Sequence, residues 1–353
     1  MFSKKNLIKF LLTYILIKII TVGTMYNVMP SIFEQSIFKL PDFTYYSSGD
    51  LGPGPNIGYR WLIWILNITS LEDYLPITLS IIINITVDMA WVIFFSKYLK
   101  FRTLIFFLVL IGFHPYTATY FMKFSSDIFM KLGLLMIVLS IFSIEQNKKN
   151  LKKISNIKII FEWFVWLVLI SLRNANAMIA IPYLFIKNRF SIIKGSLVTI
   201  SLLIFLLYMS KGYVDGLKPI DRTWDFNYLE RVFDIQNYFL LIAVSIFSRI
   251  LMLFGAREKV YIEGVEPFLN PEGGIYLELY IYIFMGLTQF IGFIYGMYFL
   301  YKQSNSKMIF IITIPLVLSV LTVSHQRYLL PFIPICCFGI VKIFEIIIIK
   351  KIK

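Results

Sequence analysis

Short polar segments interrupt an otherwise apolar sequence, and several carry residue types suited to handling a hydroxyl or a phosphate. The first holds Asp42, Tyr45, Tyr46 and Asp50, then Gly52, Pro53, Gly54 and Pro55, then Tyr59, Arg60 and Trp61. A carboxylate beside a rigid Gly-Pro turn could hold a general base against an incoming hydroxyl. Asp42 is the first candidate base and Asp50 the second. The same residues also fit a solvated loop with an aromatic anchor at a membrane interface. The glycines are not a phosphate loop, because no Lys-Ser or Lys-Thr follows them.

A second acid closes the run Lys123, Phe124, Ser125, Ser126, Asp127. It could assist acid-base or metal chemistry, and the serines and Asp equally suit the cap of a helix. Near the C-terminus come Ser324, His325, Gln326, Arg327, Tyr328 and Pro331. Arg327 suits a lipid-linked phosphate, since a guanidinium stays charged and grips phosphate oxygens with two hydrogen bonds. Snorkelling to headgroups is the alternative. His325 is expected to be a local hydrogen bonder, and Tyr328 to line the same site.

The elements that position these groups must be membrane helices. Hydrophobic residues make up 58% of the chain, charged residues 15%, and mean hydropathy is +0.76. Ordinary soluble domains have roughly 45 to 50% and 25%. A span needs about 20 apolar residues, because hydrocarbon cannot satisfy an open backbone. The apolar runs predict spans over 7–28, 75–95, 103–121, 128–144, 159–172, 177–186, 195–209, 237–254, 276–301, 309–323 and 329–349. The expectation is an all-α, polytopic bundle of about ten or eleven membrane helices, some short or re-entrant. It forms a single integral membrane domain over 1–353, with 29–59, 210–236 and 255–275 as extracytoplasmic or interfacial loops.

Net charge is +14, but the basic residues sit in clusters between apolar runs, such as Lys148, Lys149, Lys152 and Lys153. That is the signature of cytoplasmic loops, not of nucleic-acid binding. It puts both termini in the cytoplasm and the acids of the first loop outside. Simple alternation fails between 159 and 254, so one element there must be broken, and Arg173, Asn174, Ala175 and Asn176 mark the break. Lys18, Asp88, Lys131 and Arg249 fall inside predicted spans and must point into the bundle or a wet cavity. Asp88 and Lys18 are the predicted pair. Cys336 and Cys337 are adjacent in an apolar run and read as small core residues.

In these segments the chain resembles the GT-C class of membrane glycosyltransferases and the related O-antigen-type repeat-unit polymerases of bacterial surface polysaccharide. The likeness runs from residue 1 to 349. It is carried by Asp42, Tyr45 and Tyr46, by Ser126 and Asp127, by the Arg173-Asn174 break before Pro182, and by Arg327-Tyr328 followed by Pro331 and Pro334. The resemblance implies a multi-span helical fold in the bacterial inner membrane. It also implies a sugar donor on a polyprenyl phosphate or diphosphate, and a saccharide or glycolipid acceptor. Asp42 or Asp50 would then be the acceptor-activating carboxylate, Asp127 its helper, and Arg327 the lipid-phosphate contact. Tyr45, Tyr46, Arg60, Arg173, His325 and Tyr328 would line the substrate. No cofactor is required, and a divalent cation could assist. The first loop lacks the acidic pair of the class. A polysaccharide-lipid flippase or other transporter is the rival reading, favoured by the charges inside the spans.

Overall fold

A computed structural model describes residues 4–28, 56–68, 74–114, 117–118, 120–122, 124–147, 156–188, 250, 274–321 and 326–352. Among them every regular element is helical. In chain order these are α1 (Lys4–Val28), α2 (Ile57–Ile68), α3 (Tyr74–Phe95), α4 (Phe101–Phe113), α5 (Asp127–Asn147), α6 (Asn156–Leu172), α7 (Asn176–Asn188) and α8 (Gly274–Ser304). A 3-10 segment η1 (Lys307–Thr313) leads into α9 (Ile314–Leu321), and η2 (Gln326–Phe332) leads into α10 (Ile333–Ile352). The predicted spans 195–209 and 237–254, with Arg249 and the loop 210–236, lie outside the described residues.

Two stretches, Leu75–Phe95 and Leu329–Ile347, are long and apolar enough to cross a membrane. At 1.5 Å per residue they reach about 30 Å, the thickness of a hydrocarbon core. Large apolar side chains lie on the outside of the helices as well as in the core, and several charged ones are buried. On α1, Leu12, Leu16 and Ile19 are about 60% exposed, while Lys18 between them is fully buried. On α3, Ile82 and Ile93 face outward and Asp88 faces in.

The helices pack around α5, which touches α3, α6, α7, α8, η1 and η2. A large aromatic core fills the space, with Phe95 stacked on Phe338 at 3.9 Å between ring centroids and edge-on to Phe107. The closest helix pair is α8 with α10. Gly292 and Gly296 lie one turn apart on α8, and a Cβ added at Gly339 of α10 would collide with the backbone of both. Small residues at this spacing let two helices meet backbone to backbone. Gly339→Ala should therefore lower thermal stability in micelles by about 1–3 kcal/mol, as overpacking does. An unchanged melting temperature would show that the two helices can part freely.

The structure corrects several boundaries. The predicted span 103–121 stops at Phe113, where His114 turns extended (ψ 120). Pro115 follows it, and a residue before proline is pushed out of the helical region. The span 309–323 is divided between η1 and α9, and 329–349 between η2 and α10. Each α-helical part has a proline as its second residue, Pro315 and Pro334, where the missing N–H costs nothing. Gln326 to Tyr328, predicted as loop, already belong to η2. Residues 57–59, assigned to the first loop, open α2, whose 12 residues were too few for a span. Residues 274 and 275 of the loop 255–275 likewise open α8.

The break after α4 explains two buried polar residues. The carbonyl of Ile111 would bond to residue 115 in a continuous helix, and proline there has no N–H. Lys18 Nζ donates to that carbonyl at 3.0 Å, and Thr117 Oγ1 does so at 2.9 Å. Thr21 Oγ1 donates to the next carbonyl, Gly112, at 3.2 Å. From the other side, Ser80 Oγ donates to the Phe121 carbonyl at 3.1 Å. Polar side chains of α1 and α3 thus satisfy carbonyls in the last turn of α4 and in the chain beyond it, as an apolar interior demands.

Candidate functional site

The start of α5 is built by its own serines. Ser125 Oγ accepts from the Asp127 backbone N–H at 3.2 Å and donates to Asp127 Oδ2 at 3.1 Å. The predicted cap is therefore present, with Ser125 as the capping residue. The carboxylate it steadies is fully buried.

That carboxylate meets the break predicted near Arg173. The last turn of α6 closes with Arg173 N donating to Leu169 O at 2.9 Å. The next turn opens at once, with Asn176 N donating to Arg173 O and Ala177 N to Asn174 O, both at 2.9 Å. The chain is interrupted without orphaning these backbone groups. Arg173 Nη2 lies 2.8 Å from Asp127 Oδ1, and Nη1 donates to Ser126 Oγ at 3.2 Å. Asn176 Nδ2 holds the far side of the break, donating to Leu169 O at 2.9 Å and Phe129 O at 3.2 Å. Gly133 must be small here, because a Cβ would strike the Asn176 amide.

The third component is the start of α2. Tyr59 is buried, stacks on Phe124 at 5.4 Å and donates its hydroxyl to the Phe124 carbonyl at 2.7 Å. Arg60 beside it is also buried. Tyr59, Ile63 and Leu66 form a small apolar cluster with Phe124 and Phe129, fixing α2 to the start of α5. The segment η2, which contains Arg327 and Tyr328, packs on α5 as well. Asp42, Tyr45, Tyr46, Asp50 and His325 lie outside the described residues.

Chemically, the described part of this site is a guanidinium held in one orientation. Asp127 is engaged by both Arg173 and Ser125, which suits it to positioning Arg173 more than to taking a proton from substrate. Among the described residues no three metal-ligating side chains converge. The anion that the Arg173 guanidinium meets in the structure is the Asp127 carboxylate, with Ser126 on its other terminal nitrogen. Sequence reasoning missed Asn56 as a support and gave Tyr59 no role of its own. The signal of the first, an Asn before an apolar helix, is too common to stand out.

A second polar cluster lies inside the bundle. Asp88 pairs with Lys131 of α5 and accepts from the Tyr14 hydroxyl. The predicted partner, Lys18, instead bonds to the Ile111 carbonyl and to Thr117. Tyr14 sits one turn before Lys18 on α1 and takes the place beside Asp88, leaving Lys18 for the carbonyls after α4.

The chain matches no family model, no curated protein and no solved structure.

Proposed function

We propose that this chain is a multi-pass inner-membrane glycosyltransferase of GT-C-like architecture, moving a sugar or oligosaccharide from a polyprenyl-phosphate-type donor during bacterial surface polysaccharide assembly. The membrane part is supported by two apolar stretches of spanning length, Leu75–Phe95 and Leu329–Ile347, and by leucines and isoleucines such as Leu12, Leu16 and Ile82 that face outward while Lys18, Asp88 and Lys131 are buried. In lipid that arrangement is favoured, and in water it would be costly.

The observation that carries the catalytic part is the oriented Arg173. It is anchored by Asp127 and Ser126, and it stands at a helix break joined to the start of α2, the element that follows Asp42 and Asp50 in sequence. In the proposed reaction Asp42 or Asp50 takes the proton of an acceptor hydroxyl. The hydroxyl oxygen bonds to the anomeric carbon as the bond from that carbon to the lipid phosphate oxygen breaks. The electron pair stays on the phosphate, where Arg327 meets the developing charge while Arg173 holds the phosphate before and after the bond breaks.

The test is transfer in nanodiscs supplied with polyprenyl-linked saccharides. Asp42→Asn, Asp50→Asn and Arg327→Ala are each made at normal protein level. Loss of the base or of the phosphate contact should lower product by about 100-fold or more. Unchanged product in all three variants would refute the site. A protein that moves the lipid-linked saccharide across the bilayer and forms no glycosidic bond would instead be a transporter, with the buried Asp88–Lys131 pair as its natural candidate.

A further inference from the structure

We infer that Asn56 and Asn174 are positioning residues, a reciprocal clasp that sets the spacing of Arg60 and Arg173 and so the grip on the phosphate of a lipid-linked donor. The role rests on the transferase reading above.

The two asparagines are 118 positions apart, yet each accepts from the backbone of the other. Asn56 N donates to Asn174 Oδ1 at 3.0 Å, and Asn174 N donates to Asn56 Oδ1 at 2.8 Å. Both residues stand where a helix begins. Asn56 O accepts from Arg60 N at 3.0 Å, and Asn174 O accepts from Ala177 N at 2.9 Å. The clasp therefore ties two helix starts directly together. One delivers Arg60 a turn later, and the other immediately follows Arg173.

Asn56 adopts φ 52, in the left-handed region. Asparagine tolerates this better than most residues. The conformation turns its side chain towards Asn174, although an asparagine before a helix ordinarily caps its own first turn. Close packing supports the same juxtaposition: a Cβ at Gly58 would collide with Ser171, two residues before Arg173. Tyr59 and Phe124 hold α2 to the rest of the bundle without involving the asparagines. Removing the clasp should therefore alter the relation of the two arginines and leave the fold standing.

A guanidinium pair that grips the phosphate equally in ground and transition states affects KM more than kcat. Each clasp bond uses an asparagine oxygen as acceptor, so aspartate preserves it and alanine removes it. Glycine at 56 removes the acceptor while keeping the left-handed backbone free of strain.

The experiment measures KM and kcat for a polyprenyl-diphosphate-linked saccharide in nanodiscs, with thermal stability alongside. Asn56→Gly, Asn56→Ala and Asn174→Ala should raise KM about tenfold and leave kcat within about twofold. Asn56→Asp and Asn174→Asp should return KM to near the wild-type value. If the alanine and glycine variants keep the wild-type KM, or lower kcat and melting temperature together at constant KM, the residues are structural only and the clasp is refuted. If the aspartate variants behave like alanine, the acceptor role is refuted. A wild-type protein that neither binds the donor nor forms product overturns the transferase reading, and the clasp's role falls with it.

Discussion

Arg173→Ala should destabilise the protein by about 3–5 kcal/mol and abolish product, because it strips the buried Asp127 carboxylate of its ion partner. Ser125 would remain as a donor to that carboxylate, but one neutral hydroxyl does not replace a guanidinium at 2.8 Å. The comparison that separates stability from chemistry is the double variant Asp127→Leu with Arg173→Met. Replacing both charges by apolar groups of similar size is often neutral or stabilising. The melting temperature in micelles should return to the wild-type value or above while product stays absent. Recovery of product in that double variant would show that Arg173 serves the fold alone. A single Arg173→Ala variant that melts like wild type would mean that the carboxylate is less enclosed than the structure has it.

The second large effect concerns the interior pair. Lys131→Met leaves Asp88 the Tyr14 hydroxyl as its hydrogen-bond donor among the described residues and should cost about 3–5 kcal/mol. Adding Asp88→Leu should restore most of the loss. If the double variant is stable and forms product normally, the pair is structural. If it is stable and product or transport is lost, the pair belongs to the function. Lys18 does not compensate for the missing Lys131, since it is already committed to the Ile111 carbonyl at 3.0 Å and to Thr117.

The two polar clusters differ in how their charges are used. At the Asp127 cluster a carboxylate holds an arginine beside a break where two helices meet a third. At the Lys18 cluster, Lys18 supplies the Ile111 carbonyl with the hydrogen bond that Pro115 removed from α4, and Thr21 reaches the neighbouring Gly112 carbonyl. A buried lysine is ordinarily read as a sign of transport, but here it completes a backbone. Among the described residues, Asp88 and Lys131 pair with each other instead of completing a backbone.

Several features were legible in the sequence because they depend on neighbours along the chain. The apolar runs foretold α1, α3 and α8, the Arg-Asn interruption foretold the gap between α6 and α7, and the serines before Asp127 foretold a cap. Helix periodicity and local hydrogen bonding set these features, and both act within a few residues. The short helix α2 escaped notice because 12 residues fall below the length that identifies a span. The end of α4 was missed because a long apolar run outweighed a single proline.

Pairing across the bundle was decided only by the tertiary structure. Nothing in the order of residues tells Asp88 to choose Lys131 over Lys18. The choice follows from Tyr14 reaching Asp88 one turn earlier on α1, and from where the α4 break leaves carbonyls without partners. The same holds for Arg173 with Asp127 and for Asn56 with Asn174, which are separated by 46 and 118 positions. Composition and local pattern establish that polar groups in an apolar chain must find partners, because the interior supplies no water. Only helix packing brings the particular partners within hydrogen-bonding distance.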